Sequence, residues 1–220
     1  MKIAHGVEIP TTLEDLCDPR RMALLIYDMQ VGICSQVAGS DRIVQQTGRA
    51  LAAARAAGMR VVFTQHLSLS KAWMGATQYR TAMAWQRTED PSAVKPWFLR
   101  ETPGFQIVPE LAPSADDAVF AKLAMSAFEG TPLAFALSDC GLVSLAIVGI
   151  ATEIGIEPTT RHATDLGFIP VVLADACGAG EEEAGERALE TMRFMGETII
   201  SDVDTFVRLL GIPSGPSRQA

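Results

Sequence analysis

The chain has 220 residues, 48% of them hydrophobic and 20% charged, which suits one folded domain with a substantial core and not a disordered chain. A formal net charge of −8 argues against nucleic acid, whose binding surface needs a basic stripe, and against docking on an anionic membrane. No stretch reaches the roughly 18 consecutive apolar residues that span a bilayer, and Met1 to Pro10 lacks the basic-then-apolar order of a signal peptide, so a cytoplasmic location is expected.

Short apolar runs alternate with helical patterns along the chain. Ala23 to Tyr27 reads as a strand that ends at Asp28. Asp41 to Ala57 carries Ile43, Val44, Leu51 and Ala54 at helical spacing, with Gly58 placed to stop the helix. Val61 to Thr64 is the next strand. Residues 65–117 hold five prolines (Pro91, Pro96, Pro103, Pro109, Pro113) and only one expected helix, Gln78 to Gln86. A long irregular stretch inside a compact domain is more often functional than idle.

The alternation then resumes. Ala118 to Ala121 is a strand leading to Lys122, and Thr131 to Cys140 a helix. Leu145 to Ile150 is a strand, and a helix from Gly155 to Asp165 tolerates Pro158 only in its first turn. Pro170 to Ala174 is a strand. Glu181, Glu182 and Glu183 open a helix to Met195, their charge favouring its N-terminal end. A strand at Thr198 to Ile200 and a helix at Asp202 to Leu210 close the fold, and the tail from Pro213 to Ala220 is expected to fray. Strand–helix alternation with fully apolar strands indicates a mostly parallel sheet covered on both faces, a three-layer α/β/α, Rossmann-like architecture in one domain spanning 1–220.

In such sheets ligands bind beyond the carboxyl ends of the strands. Asp28, Lys122 and the turn from Ile150 to Gly155 all fall there, and this convergence points to an active site. The four cysteines (Cys17, Cys34, Cys140, Cys177) form no CxxC pair and read as reduced thiols, with Cys140 and Cys177 in the core. Ser126 and Phe128 read as capping and packing groups. His162, beside Arg161, reads as a surface or interface residue.

Three segments resemble the isochorismatase-like, or cysteine hydrolase, superfamily over about residues 20–208: Leu25-Ile-Tyr-Asp28-Met-Gln30; Lys122 through Ser126, Phe128, Gly130 and Thr131 to Leu133; and Val148-Gly-Ile-Ala151-Thr-Glu153-Ile-Gly155, continuing through Thr159, Ala163, Gly167 and Asp175-Ala176. The resemblance implies a six-stranded sheet, a small-molecule substrate, no cofactor, a homo-oligomer and an aspartate–lysine–cysteine triad. Asp28 and Lys122 match the first two members, and Gly155 stands where the cysteine nucleophile belongs. It also implies a cis peptide between Ile150 and Ala151, with the Ala151 and Gly155 N–H groups facing a developing oxyanion.

Glycine at this position resembles the branch that cleaves the vinyl ether of isochorismate by aspartate acid–base chemistry, without an acyl-enzyme. Other positions depart from that branch. Glu153 stands where it carries histidine, and His66 falls where it carries glutamine. Arg80 and Trp85 match its substrate contacts only after a shift in spacing. With Gln30 and Ala151, these residues are the candidate substrate-binding set. The run from Thr64 to Ser70 lacks the DxHxxxH pattern of metal-binding members, so no metal is expected. The leading expectation is non-covalent hydrolysis of an enol ether. The alternatives are an amidohydrolase of a small amide or ureide, using activated water or Cys34, and a binding protein without a nucleophile.

Overall fold

The computed structural model describes residues 1–211, and the tail expected to fray from Pro213 lies outside them. An antiparallel hairpin comes first, β1 (Lys2–Ala4) against β2 (Val7–Ile9). His5 and Gly6 turn it with φ of 50° and 78°, the two left-handed residues that a type I′ turn needs. Sequence patterning places no element here, because both strands are fully exposed and carry no buried face.

The chain continues through α1 (Leu13–Leu16), β3 (Met22–Tyr27), α2 (Val31–Cys34), α3 (Ser40–Ala56), β4 (Arg60–His66) and α4 (Ala76–Gln86). Between α4 and β5 (Ala118–Lys122) lie three single 3₁₀ turns, each opened by a proline: Pro91, Pro103 and Pro109. The remainder is α5 (Leu133–Asp139), β6 (Ser144–Ile150), α6 (Glu157–Asp165), β7 (Ile169–Gly178), α7 (Glu182–Met195), β8 (Ile199–Ser201) and α8 (Val203–Leu209).

Six strands form one sheet in the order β5-β4-β3-β6-β7-β8, and every pairing in it is parallel. Successive residues of β3 explain the layers, since side chains alternate across a strand. Met22, Leu24 and Ile26 enter a core with Leu51 and Ala54 of α3 and Phe206 of α8. Ala23, Leu25 and Tyr27 enter the opposite core with Leu133 and Leu137 of α5, Ala163 of α6 and Met192 of α7. Each large side chain so buried contributes about 1.5–3 kcal/mol.

Three expectations shift. β7 runs to Gly178 and not to Ala174, because it regains pairing with β6 after a register shift. The helix expected from Gly155 starts at Glu157, and Thr152 to Ile156 forms a wider π turn in which the Ile156 N–H donates to the Ala151 carbonyl at 3.1 Å. Cys140 is exposed, not core, because it caps the outward end of α5.

Candidate active site

β3, β4 and β5 bring three polar side chains to one edge of the sheet. Asp28 leaves β3 with φ of 48°, a left-handed conformation that aspartate tolerates better than most residues. Its Oδ2 accepts from Lys122 Nζ at 2.6 Å. Its Oδ1 accepts from the Thr64 hydroxyl at 2.6 Å, and that hydroxyl accepts in turn from the Asp28 N–H at 3.2 Å. All three side chains are almost wholly buried, so the ammonium and carboxylate compensate each other in a setting where either alone would be costly.

Lys122 Nζ also donates to the Tyr27 hydroxyl at 2.8 Å and to the Ala124 carbonyl at 3.2 Å, which engages all three of its protons. The Tyr27 hydroxyl donates to the Met125 carbonyl. Burial first, and then the adjacent Asp28 carboxylate, hold the Tyr27 pKa well above the ordinary phenol value, so this group stays protonated.

Tyr27 is also the neighbour that position 155 meets. A Cβ on Gly155 would fall inside the van der Waals envelope of Tyr27 Oη, Cζ and Cε1. No side chain fits at 155 while the ring is there. Gly149 is constrained by the same strand: its φ is 124°, and a Cβ there would strike the Tyr27 carbonyl oxygen.

Above this edge opens a cleft of about 440 Å³. Tyr27, Asp28, Ile150 and Ala151 are at its base, and Trp85, Arg87, Trp97 and Phe98 form one wall. The peptide Ile150–Ala151 is cis. The Gly155 N–H donates to the Ala151 carbonyl at 3.0 Å. Of the expected pair of oxyanion donors, the Gly155 N–H is therefore taken up inside the π turn.

The candidate binding residues divide. His66 and Trp85 line the cleft with their rings 6.3 Å apart, and Glu153 lines it too. Burial, the largest influence, pushes the His66 pKa down to about 4, so this ring is neutral at pH 7. One carboxylate oxygen of Glu153 accepts from the Gly180 and Glu181 N–H groups at 2.8 and 3.2 Å, which ties the cleft rim to the loop before α7. Gln30 does not reach the cleft. Its amide is fully buried, accepting from the His66 N–H at 2.6 Å and donating to the carbonyls of Phe105 and His66 at 2.9 and 3.1 Å.

Arg80 stands exposed on α4 and does not line the cleft; the arginine at the rim is Arg87, whose left-handed backbone (φ 50°) ends that helix. Cys34 is buried in the core beneath α2, and burial pushes its thiol up to about 11, so it neither lines the cleft nor supplies a thiolate. Ser126 Oγ lies 3.0 Å from His162 Nδ1 and accepts from the Phe128 N–H, away from the cleft. Among the described residues no group of three His, Cys, Asp or Glu side chains is arranged to hold a metal ion, and no helix is long and apolar enough to cross a membrane.

Sequence reasoning passed over Tyr27, Thr64 and Arg87. For Tyr27 a signal was present: a bulky aromatic immediately before Asp28, in a chain with no side chain at 155. Thr64 and Arg87 carried none, because their roles depend on strand pairing and on where α4 stops.

Known proteins resemble this chain over most of its length. The family model described as the isochorismatase domain matches residues 22–203. Ureidoacrylate amidohydrolase RutB of Serratia proteamaculans is 32% identical, covering 89% of this chain and 85% of its own; the protein of that name from Methylobacterium radiotolerans is 30% identical, covering 95% and 87%. Among solved structures, a cysteine hydrolase from Pseudomonas syringae pv. phaseolicola superposes with a TM-score of 0.77 at 22% identity, covering 88% of this chain and 94% of its own. An isochorismatase family protein from Desulfovibrio vulgaris gives 0.73 at 25% identity, covering 87% and 99%. The chain belongs to the isochorismatase family of hydrolases.

Proposed function

We propose that this protein hydrolyses a C–N bond in a small amide or ureide, using water activated at Asp28 and no covalent acyl-enzyme. The relatives named ureidoacrylate amidohydrolase support a C–N bond over the vinyl ether that glycine at 155 first suggested. The observation that carries the water route is the Tyr27 ring, which fills the space a nucleophilic side chain at 155 would need. Cys34 offers no substitute, being buried and protonated.

In this reading Asp28 takes a proton from a water in the cleft, and the hydroxide adds to the substrate carbonyl. The Ala151 N–H receives the developing oxyanion. Lys122 and Thr64 each donate to one carboxylate oxygen of Asp28 and so fix the plane of the group. Trp85, Trp97 and Phe98 cover the apolar part of the substrate, and Arg87 at the rim suits an anionic end.

The test is a panel of small amides, ureides and vinyl ethers with the wild-type protein and Asp28→Asn, run in ¹⁸O-water with intact-mass analysis. The expected result is ureide or amide turnover, ¹⁸O in the acid product, no mass added to the protein, and a loss of roughly 10²–10⁴-fold in Asp28→Asn. Turnover of vinyl ethers alone, or an acyl adduct on the protein, would overturn this reading.

A further inference from the structure

Tyr27 has the position of a reacting group and not only that of a filler. Its hydroxyl occupies the volume that a side chain at Gly155 would need, Tyr27 is among the residues lining the cleft, and the hydroxyl is joined to the general base through one intermediary: Asp28 Oδ2 to Lys122 Nζ is 2.6 Å, and Lys122 Nζ to Tyr27 Oη is 2.8 Å. The hydroxyl donates to the Met125 carbonyl at rest, and Met125 itself lines the cleft.

We infer that Tyr27 is the general acid of this site, giving its phenol proton to the departing nitrogen and regaining it from Asp28 by way of Lys122. The inference rests on the amide-hydrolysis reading above. Its balance is closed. Asp28 takes one proton from water, and the hydroxide forms the new C–O bond. The C–N bond breaks, and its electron pair takes the Tyr27 proton. The phenolate takes a proton from the Lys122 ammonium, and the neutral amine takes one from the Asp28 carboxyl. The site returns to its starting charges, water has been divided between carbon and nitrogen, and no outside donor is needed.

This arrangement explains why the phenol is buried against an ammonium. The Lys122 ammonium donates to the oxygen on which negative charge develops as the proton leaves, and the short Asp28–Lys122–Tyr27 path returns that proton. It also explains why a tyrosine is compatible with glycine at 155 and with nothing larger: acid and nucleophile would need the same space.

The test uses 4-nitrophenylurea, phenylurea and butylurea, three ureides whose leaving amines rise in basicity. Tyr27→Phe keeps the ring beside Gly155 and removes only the hydroxyl. The expected loss in kcat/KM is roughly 10²–10⁴-fold on butylurea and under about tenfold on 4-nitrophenylurea, whose electron-poor nitrogen departs with little proton transfer in the transition state and takes its proton afterwards from water. A uniform loss across the three, or none, overturns the acid role and leaves amide hydrolysis standing. Wild-type protein inert on all three overturns the amide reading and the acid role together.

A second arm needs no substrate and separates the position of the hydroxyl from its chemistry. Gly155→Cys alone and Tyr27→Ala with Gly155→Cys are titrated with iodoacetamide across pH. If the hydroxyl occupies the reacting position, the single variant is destabilised or unreactive, and the double variant alkylates with a midpoint well below the ordinary thiol value of about 8.5. A double variant with an ordinary midpoint places the hydroxyl away from the reacting atoms and overturns the inference by itself.

Discussion

The base of the cleft and its wall are built on opposite principles. The base is made of strand ends: Asp28 just after β3, Thr64 on β4, Lys122 on β5 and the Ile150–Ala151 peptide at the end of β6. Ladder hydrogen bonds fix the strands these residues end or directly follow, and the Asp28, Thr64 and Lys122 side chains are buried and mutually bonded. The wall comes from α4 and the proline-rich segment after it. No residue of α4 is fully buried, Trp85 is 39% exposed, and Arg87 sits where the helix runs out. Groups that must hold a reacting geometry are set on rigid elements, and groups that select a substrate sit on segments that can change at little cost to the fold.

If that division is right, base substitutions cost stability and wall substitutions change substrate binding. The largest effect is expected from Lys122→Met, which leaves the Asp28 carboxylate buried and unpaired. It should cost about 3–5 kcal/mol, read as a lower urea midpoint at unchanged slope. Gly155→Ala comes next, since its methyl group collides with the Tyr27 ring. Overpacking costs about 1–3 kcal/mol, and a thermal-unfolding double-mutant cycle with Tyr27→Ala should return much of it. Full additivity in that cycle would show that the ring and position 155 do not share the space.

His66 stands between base and wall and sets a pH dependence. Its folded pKa of about 4 lies below the unfolded value of 6.5, so the unfolded chain binds the proton first. The stability that His66 contributes is complete above 6.5 and is lost as pH falls from 6.5 toward 4, by an amount on the order of 2 kcal/mol given its contact with the open cleft. His66→Gln should flatten the unfolding midpoint across that window. The smallest effects belong to the wall. Arg87→Ala should raise KM for an anionic substrate up to about tenfold with kcat little changed, and Arg80→Ala, outside the cleft, should change neither. A larger KM effect at Arg80 than at Arg87 would place the substrate elsewhere.

Much of the fold was legible because the strands are short, apolar and spaced by helical patterns. The alternation places all six sheet strands within a few residues and implies a mostly parallel sheet, which the structure makes parallel throughout. The exposed hairpin at Lys2–Ile9 escaped because it has no buried face to leave a periodicity. The π turn after Ala151 escaped because one inserted residue in a helix start leaves no mark in composition, and it consumed the Gly155 N–H that resemblance assigned to the oxyanion.

The sequence by itself determined which residues lie at the carboxyl ends of strands, and so brought Asp28 and Lys122 into consideration together with a position that carries no side chain. Only the tertiary structure decided what fills that position. Tyr27 and Gly155 belong to different strand–helix units, and their shared space exists only because β3 and β6 are neighbours in the sheet. The structure likewise exchanged Arg80 for Arg87 and withdrew Gln30 into backbone bonding, because the direction of a side chain depends on where a helix stops and on which strand lies beside it.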